Sequence, residues 1–326
     1  MKEKNKLIEV SGTCSPIRTE NHKRFNTCLT FSELVTIGSA YNMIVQNNKN
    51  RDNRMLKTIN KSSFSSSKRL INALEDRFSK ACPPNNDGMG QDQCWLEQPI
   101  FKLNARDLYN TLQRKFRPLM PMSWKADKNH LLNTFDILKV LKQYEDKYDD
   151  FEFLGVYPLN FMEKDERNDD MCVIGDICHL QMKKHIESEK KFKKKQFALV
   201  HNMDPHDQPG SHWVALYINI DSSDPRFGFG YYDSYGYDES YQVQKLYNTV
   251  VNQLRQLNLE IPPFIKNKKR HQFKNTECGM FSIMFVILCL ENKIKIKEIF
   301  KKMDMKNADD QVASFRSKLF RKSANI

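Results

Sequence analysis

The chain has 326 residues, with 52 Lys and Arg against 40 Asp and Glu, a formal net charge of +12 and a hydrophobic fraction of 40%. That composition excludes a collagen-like or wholly disordered chain, and a length near 300 residues suffices to bury roughly three quarters of the surface on folding. No apolar run reaches the ~18 residues of a membrane-spanning helix; the longest, Met280–Leu290, contains Ser282 and reads as a buried core helix.

Residues 1–30 are polar and aperiodic, read as a flexible arm, and contain no apolar segment that would mark a secretory signal. A helical stripe follows at 31–46 (Leu34, Ile37, Tyr41, Ile44, Val45), then an Asn-, Lys- and Ser-rich linker at 47–67, then a second helix at 68–80 (Leu70, Leu74, Phe78). The Pro, Asn and Gly cluster from Pro83 to Gly90 places a boundary, giving an N-terminal helical extension at 1–90 and a second domain at 91–326. In that domain, 106–117 and 136–148 read as helices, the latter with Ile137, Val140, Leu141 and Tyr144 on one face. Residues 197–200 form a short apolar run, and 213–220, 227–232 and 264–265 read as strands. The period of Val243, Leu246, Tyr247, Val250, Leu254 and Leu257 makes 240–257 a helix, and 279–290 is helical and apolar nearly all round. The expected class is α+β, with a central helix against a mixed sheet.

Chemistry concentrates on Cys278, one residue before that apolar helix. A thiol at a helix N-terminus meets the positive end of the macrodipole and unpaired N–H groups, both of which favour the thiolate. Gly279 leaves room for a substrate backbone. His212 stands at the entrance of the 213–220 strand, where an imidazole can face a cleft and act as general base. Asp233 ends the next strand and can orient that imidazole if the two strands are neighbours. Gln272, six residues before the cysteine, supplies a neutral donor that can join the Cys278 N–H in stabilising an oxyanion.

The order His212-Trp213-Val214-Ala215, Tyr232-Asp233-Ser234-Tyr235-Gly236, Gln272, Cys278-Gly279 resembles the signature of the clan CE cysteine proteases. These include the Ulp-type SUMO-deconjugating proteases and adenovirus-type maturation proteases. The likeness is nearest to the polyprotein-processing, SUMO-like branch of African swine fever virus and related large DNA viruses. It covers about 130–321, with supporting stretches at 131–137, 202–204, 271–279 and 315–321. The resemblance implies a papain-like α+β fold. It also implies a thiol endopeptidase that cuts viral core or capsid precursors after small, Gly-Gly-like residues during virion maturation, located in the virion and at assembly sites in the host cytoplasm. Cys278 then serves as nucleophile, His212 as base, Asp233 as orienting acid and Gln272 as oxyanion donor. One departure stands out: the Trp-Leu pair that narrows the substrate tunnel of host Ulp proteases has no counterpart in Leu131-Leu132, and Trp95-Leu96 lies far upstream.

Three rival readings accompany this one: removal of SUMO or ubiquitin-like modifiers from host proteins, acyl transfer with the same residues, and a non-catalytic, basic DNA-binding or scaffold protein of the particle. Gln181–Lys195 holds seven lysines, and Lys266–Arg270 forms a second cluster. Either can face solvent or attract a polyanion such as DNA without sequence specificity. The eight cysteines show no disulfide-scaffold spacing, and reduced thiols are expected. Cys172, Cys178, His179 and His185 miss the usual zinc spacing, and no P-loop, GxGxxG or GxSxG motif occurs, so neither metal nor cofactor is expected.

Overall fold

The computed structural model describes residues 13–17, 24–25, 27–47, 66–83, 91–165, 167–187 and 193–322. Most of the polar arm and of the 47–67 linker, residues 84–90, and Lys190 and Lys191 of the first basic cluster lie outside them. The chain divides into two compact units, one of Val10–Met120 with Ser317–Ile326, the other containing Pro121–Arg316.

The first unit is helical: α1 (Phe31–Asn47), α2 (Ser67–Phe78), α3 (Gln91–Glu97), α4 (Pro99–Asn104) and α5 (Arg106–Gln113). Leu34, Ile37 and Tyr41 of α1 and Leu70, Leu74 and Phe78 of α2 share one core with Trp95, Leu96, Phe101, Leu112 and Phe116. The boundary expected at 90/91 therefore moves to 120/121. The turn-rich segment before α3 is a loop inside a domain, because the apolar faces on either side of it are buried together. Trp95-Leu96 belongs to this core, stacked on Phe78. The chain end returns to the unit: Met120 N–H donates to Arg321 O, and Arg321 N–H to Pro118 O.

The second unit is built on a mixed five-stranded sheet. It opens with α6 (Thr134–Glu145), whose first turn is fixed by a capping box between Asn133 and Asp136. Then come β1 (Phe151–Tyr157), the short antiparallel pair β2 (Lys164–Asp165) and β3 (Asn168–Cys172), α7 (Met182–Ile186), β4 (Gln196–Asn202), β5 (Trp213–Asn219), β6 (Gly228–Tyr232), α8 (Tyr241–Gln256), β7 (Phe264–Lys266), α9 (Cys278–Glu291), α10 (Ile296–Met303) and α11 (Ala308–Ser314). The sheet order is β1-β4-β5-β6-β7, with the inner pairs β4/β5 and β5/β6 antiparallel and the outer pairs β1/β4 and β6/β7 parallel. Every residue of β4, β5 and β6 is buried, which requires cover on both faces. Val214, Leu216 and Ile218 of β5 meet Val243, Leu246, Val250 and Leu254 of α8, so the helix-period stripe of 240–257 finds its partner there. On the opposite face α9 packs against β5 and α6, and Ser282 Oγ donates to Trp213 O. Thirteen consecutive residues of α9, Cys278 to Leu290, are buried, which is why the segment carries no polar face.

The cysteines correct one expectation. Cys14–Cys28, Cys82–Cys94 and Cys172–Cys178 are disulfides, and only Cys278 and Cys289 are free. The pairs are 14, 12 and 6 residues apart in sequence, so each closes a local loop and leaves no long-range spacing pattern to read. Cys172 and Cys178, grouped with His179 as metal-ligand types, are joined to each other.

Candidate active site

Antiparallel β5 and β6 bring the start of one strand beside the end of the other, with Ala215 opposite Tyr232. That register sets His212 next to Asp233, and His212 Nε2 lies 2.8 Å from Asp233 Oδ1. The carboxylate is fully buried and held by its own backbone: Asn267 Oδ1 accepts from Asp233 N, Asn267 Nδ2 donates to Asp233 O, and Tyr235 N–H donates to Asp233 Oδ1. The other ring nitrogen, Nδ1, is left without a hydrogen bond of ordinary length. Burial disfavours the imidazolium, but the Asp233 carboxylate and the Cys278 sulfur outweigh it and raise His212 to about 9. Tyr235 stacks on the ring at 4.6 Å, and the Arg270 guanidinium lies over the Tyr235 ring.

Cys278 is the first residue of α9, where the leading N–H groups of a helix have no internal partner. The turn that presents it is clamped by Arg316. Its Nε donates to Glu277 Oε2 at 2.9 Å, Nη2 to Thr276 O and Nη1 to His130 O, while its guanidinium lies over the Trp124 ring. Gln272 is buried with a fixed amide: Oε1 accepts from Ser234 Oγ at 2.6 Å and Nε2 donates to Lys274 O, with Tyr235 OH at 3.5 Å. Asp309 accepts from Phe273 N and Lys274 N and so anchors the loop carrying Gln272. His212, Asp233, Gln272 and Cys278 thus gather where β5, β6 and α9 meet.

Sequence reasoning missed the supports of this site: Asn267, Asp309, the Arg316–Glu277 pair and Leu132. The tail 315–321 had signalled only a family likeness, although Arg316 lies in it. Leu132 and the Trp213 ring both pack on Gly279; a Cβ there would stand 3.2 Å from Leu132 Cβ and 3.3 Å from Trp213 Cδ1. The indole is locked by Nε1–H donating to Leu132 O at 2.9 Å. Leu132 thus packs beside Trp213 over Gly279.

Among the described residues, five of the eight lysines in the two clusters have a partner. Lys195 meets Asp221, Lys183 meets Glu187, and Lys194 donates to Asp149 O and Phe151 O. Lys266 meets Asp238 and Glu239, and Lys269 meets Asp304.

Residues 179–323 match the Ulp1 protease family, C-terminal catalytic domain. Residues 179–323 are a Ulp1-type cysteine protease domain. The chain is 25% identical, over 86% of its own length and 85% of the relative's, to an Acanthamoeba polyphaga mimivirus protein that bears a thiol protease name. It is 23% identical to a cysteine protease of African swine fever virus (72% of this chain, 84% of that one). The crystal structure of an African swine fever virus protease superposes with a TM-score of 0.63, covering 97% of this chain and 98% of that one at 19% identity, which supports the α+β fold. The Ulp1-type domain makes the protein a thiol peptidase that acts on protein substrates. Among the described residues no helix is long and apolar enough to cross a membrane.

Proposed function

We propose that this peptidase cuts precursors of viral core or capsid proteins after small residues, at sites of particle assembly in the host cytoplasm and within the virion. The observation that carries the reading is the closure of Leu132 and Trp213 over Gly279, the neighbour of Cys278. In this reading Leu132 and Trp213 border the path to the sulfur and favour glycine-like substrate residues over bulky ones.

In this reading Cys278 Sγ attacks the scissile carbonyl carbon, and the thiol proton resides on His212, whose raised pKa keeps the imidazolium populated near neutrality. The tetrahedral oxyanion takes hydrogen bonds from the Cys278 N–H and from Gln272 Nε2, whose second N–H is held only by a 3.5 Å contact to Tyr235 OH. The C–N bond then breaks, His212 hands its proton to the departing amine, and a thioester remains. Water, deprotonated by the now neutral His212, hydrolyses that thioester and restores the thiol. Asp233 keeps the ring aimed throughout.

Among the described residues five of the eight clustered lysines meet acids or carbonyls, which favours solvated faces over a polyanion groove, so DNA is not required by this reading. Incubation of the protein with candidate core precursors, followed by N-terminal sequencing of the fragments, tests it: new N-termini preceded by small residues are expected. Cleavage of folded SUMO or ubiquitin fusions in preference to unfolded Gly-Gly peptides would replace it with modifier removal.

A further inference from the structure

A cavity of about 440 Å³ opens beside the Leu132–Trp213 closure and includes both side chains in its wall. Val156, Tyr157, Pro158 and Ile174 provide apolar surface, while Asp204 is its one carboxylate and no Lys or Arg lines it. In a chain with 52 basic and 40 acidic side chains, a lone carboxylate in an otherwise unionised or imidazole-bearing wall is a selective feature.

Asp204 is held in place by the loop that leads into His212. Its Oδ2 accepts from Ser211 N at 2.6 Å and from Ser211 Oγ at 2.5 Å. The buried Asn202 Oδ1 accepts from Asp204 N and Ser211 N, closing the loop from inside, and Leu159 N–H donates to Asp204 O. Gly210 lies so near Asn202 that a Cβ would stand 2.5 Å from Asn202 Nδ2, so a side chain there would push the loop apart. Among the described residues no hydrogen bond is made to Asp204 Oδ1. The carboxylate is thus rigidly placed with one oxygen open.

We infer that this cavity is a specificity pocket for a lysine or arginine of the substrate, located a few residues before the small residues that pass Leu132 and Trp213, with Asp204 as the selecting group. An aliphatic stem suits the Val156, Tyr157, Pro158 and Ile174 walls, and the cation at its tip suits the open carboxylate oxygen. An acidic side chain in the same place faces like charge. The inference rests on the proposed cleavage after small residues and adds the residue class recognised upstream of it.

The test is a peptide library of the form X-X-X-Gly-Gly-Ser in which Lys, Arg, Leu, Ala and Glu occupy each X, with cleavage by the full chain read by mass spectrometry as kcat/KM. The wild-type protein is expected to prefer Lys or Arg over Ala by about tenfold and over Glu by more, at one X position. In Asp204→Asn the Lys-to-Ala ratio falls to near one, and in Asp204→Lys the preference turns toward Glu. Because Asp204 also ties the loop, Ser211→Ala serves as control: it removes one hydrogen bond and keeps the charge, so the Lys preference survives. Cleavage after Gly-Gly with no basic preference, or a preference unchanged in Asp204→Asn, overturns the pocket assignment and leaves the proposed function standing. No cleavage after Gly-Gly in any peptide or precursor overturns both.

Discussion

Helix α9 carries the two free cysteines of the chain, one near each end, and the contrast between them explains what makes a thiol useful. Cys278 is 1% exposed and Cys289 is fully buried, so burial does not separate them. Neighbours do. Cys278 has an imidazole beside it and the N-terminal dipole of the helix. Cys289 sits in an apolar interior that pushes its thiol well above the ordinary range, with Arg226 as a weaker opposing influence. Each end is also held by an arginine, in different ways. Arg226 donates to the Cys289 and Leu290 carbonyls, where a cation complements the helix C-terminus, and pairs with Asp224. Arg316 stands near the N-terminal end, where a cation is disfavoured by the dipole, and it is tolerated there because buried Glu277 neutralises it.

The comparison breaks most sharply on cysteine substitution. Cys278→Ala is expected to fold and to lose all measurable cleavage, whereas Cys289→Ala keeps it; iodoacetamide followed by peptide mapping should label Cys278 alone in the native protein. Cleavage retained in Cys278→Ala would place the nucleophile elsewhere. Removal of the orienting acid comes next: Asp233→Ala lowers kcat by about 10²–10⁴, the usual worth of positioned acid–base catalysis, with little change in KM. Gln272→Ala follows, at about 10²–10³ in kcat, the cost of one oxyanion donor.

The arginines sharpen the contrast on stability. Arg316→Ala strands buried Glu277 and is expected to cost about 3–5 kcal/mol in denaturant unfolding, with disordering of the turn that presents Cys278. Arg226→Ala removes a cap and leaves the half-exposed Asp224, with a smaller loss and activity retained. Equal losses at both ends would contradict the asymmetry.

The smallest effects are in pH. His212, raised to about 9, adds stability that is complete below the unfolded value near 6.5 and fades as pH rises through 9. The stability gap between wild type and His212→Gln should therefore shrink across pH 7–10, from about 3 kcal/mol at most. Cleavage should fall over the same upper range, as the imidazolium needed by the leaving amine disappears. His201, buried on β4 against Phe161, behaves in the opposite sense: burial lowers it to about 4, so it costs stability as pH falls below 6.5. His201→Gln should flatten the acid limb of the unfolding curve.

Local patterns carried much of the architecture. The apolar stripe of α8 and the uninterrupted apolar run of α9 predicted both helices to within two residues, because burial imposes its period directly on sequence. The elements α3, α4 and β1 were not read, since α3 and α4 are too short to show a helical period and β1 breaks its alternation at Gly155. The 1–90 boundary failed for a related reason: a turn-rich segment shows where the chain bends and says nothing about which cores the flanking helices join.

The sequence alone singled out the side chains proposed for the chemistry, because a thiol before a buried helix, an imidazole before a strand and a carboxylate after the next strand are each written in local order. Only the tertiary structure decided what holds and shapes them. Asn267 on Asp233, Asp309 under the Gln272 loop, Arg316 on Glu277 and Leu132 against Trp213 join residues 34 to 81 positions apart. Contacts of that span are fixed by packing and by the need to pair buried polar groups, and neither leaves a periodic mark on the chain.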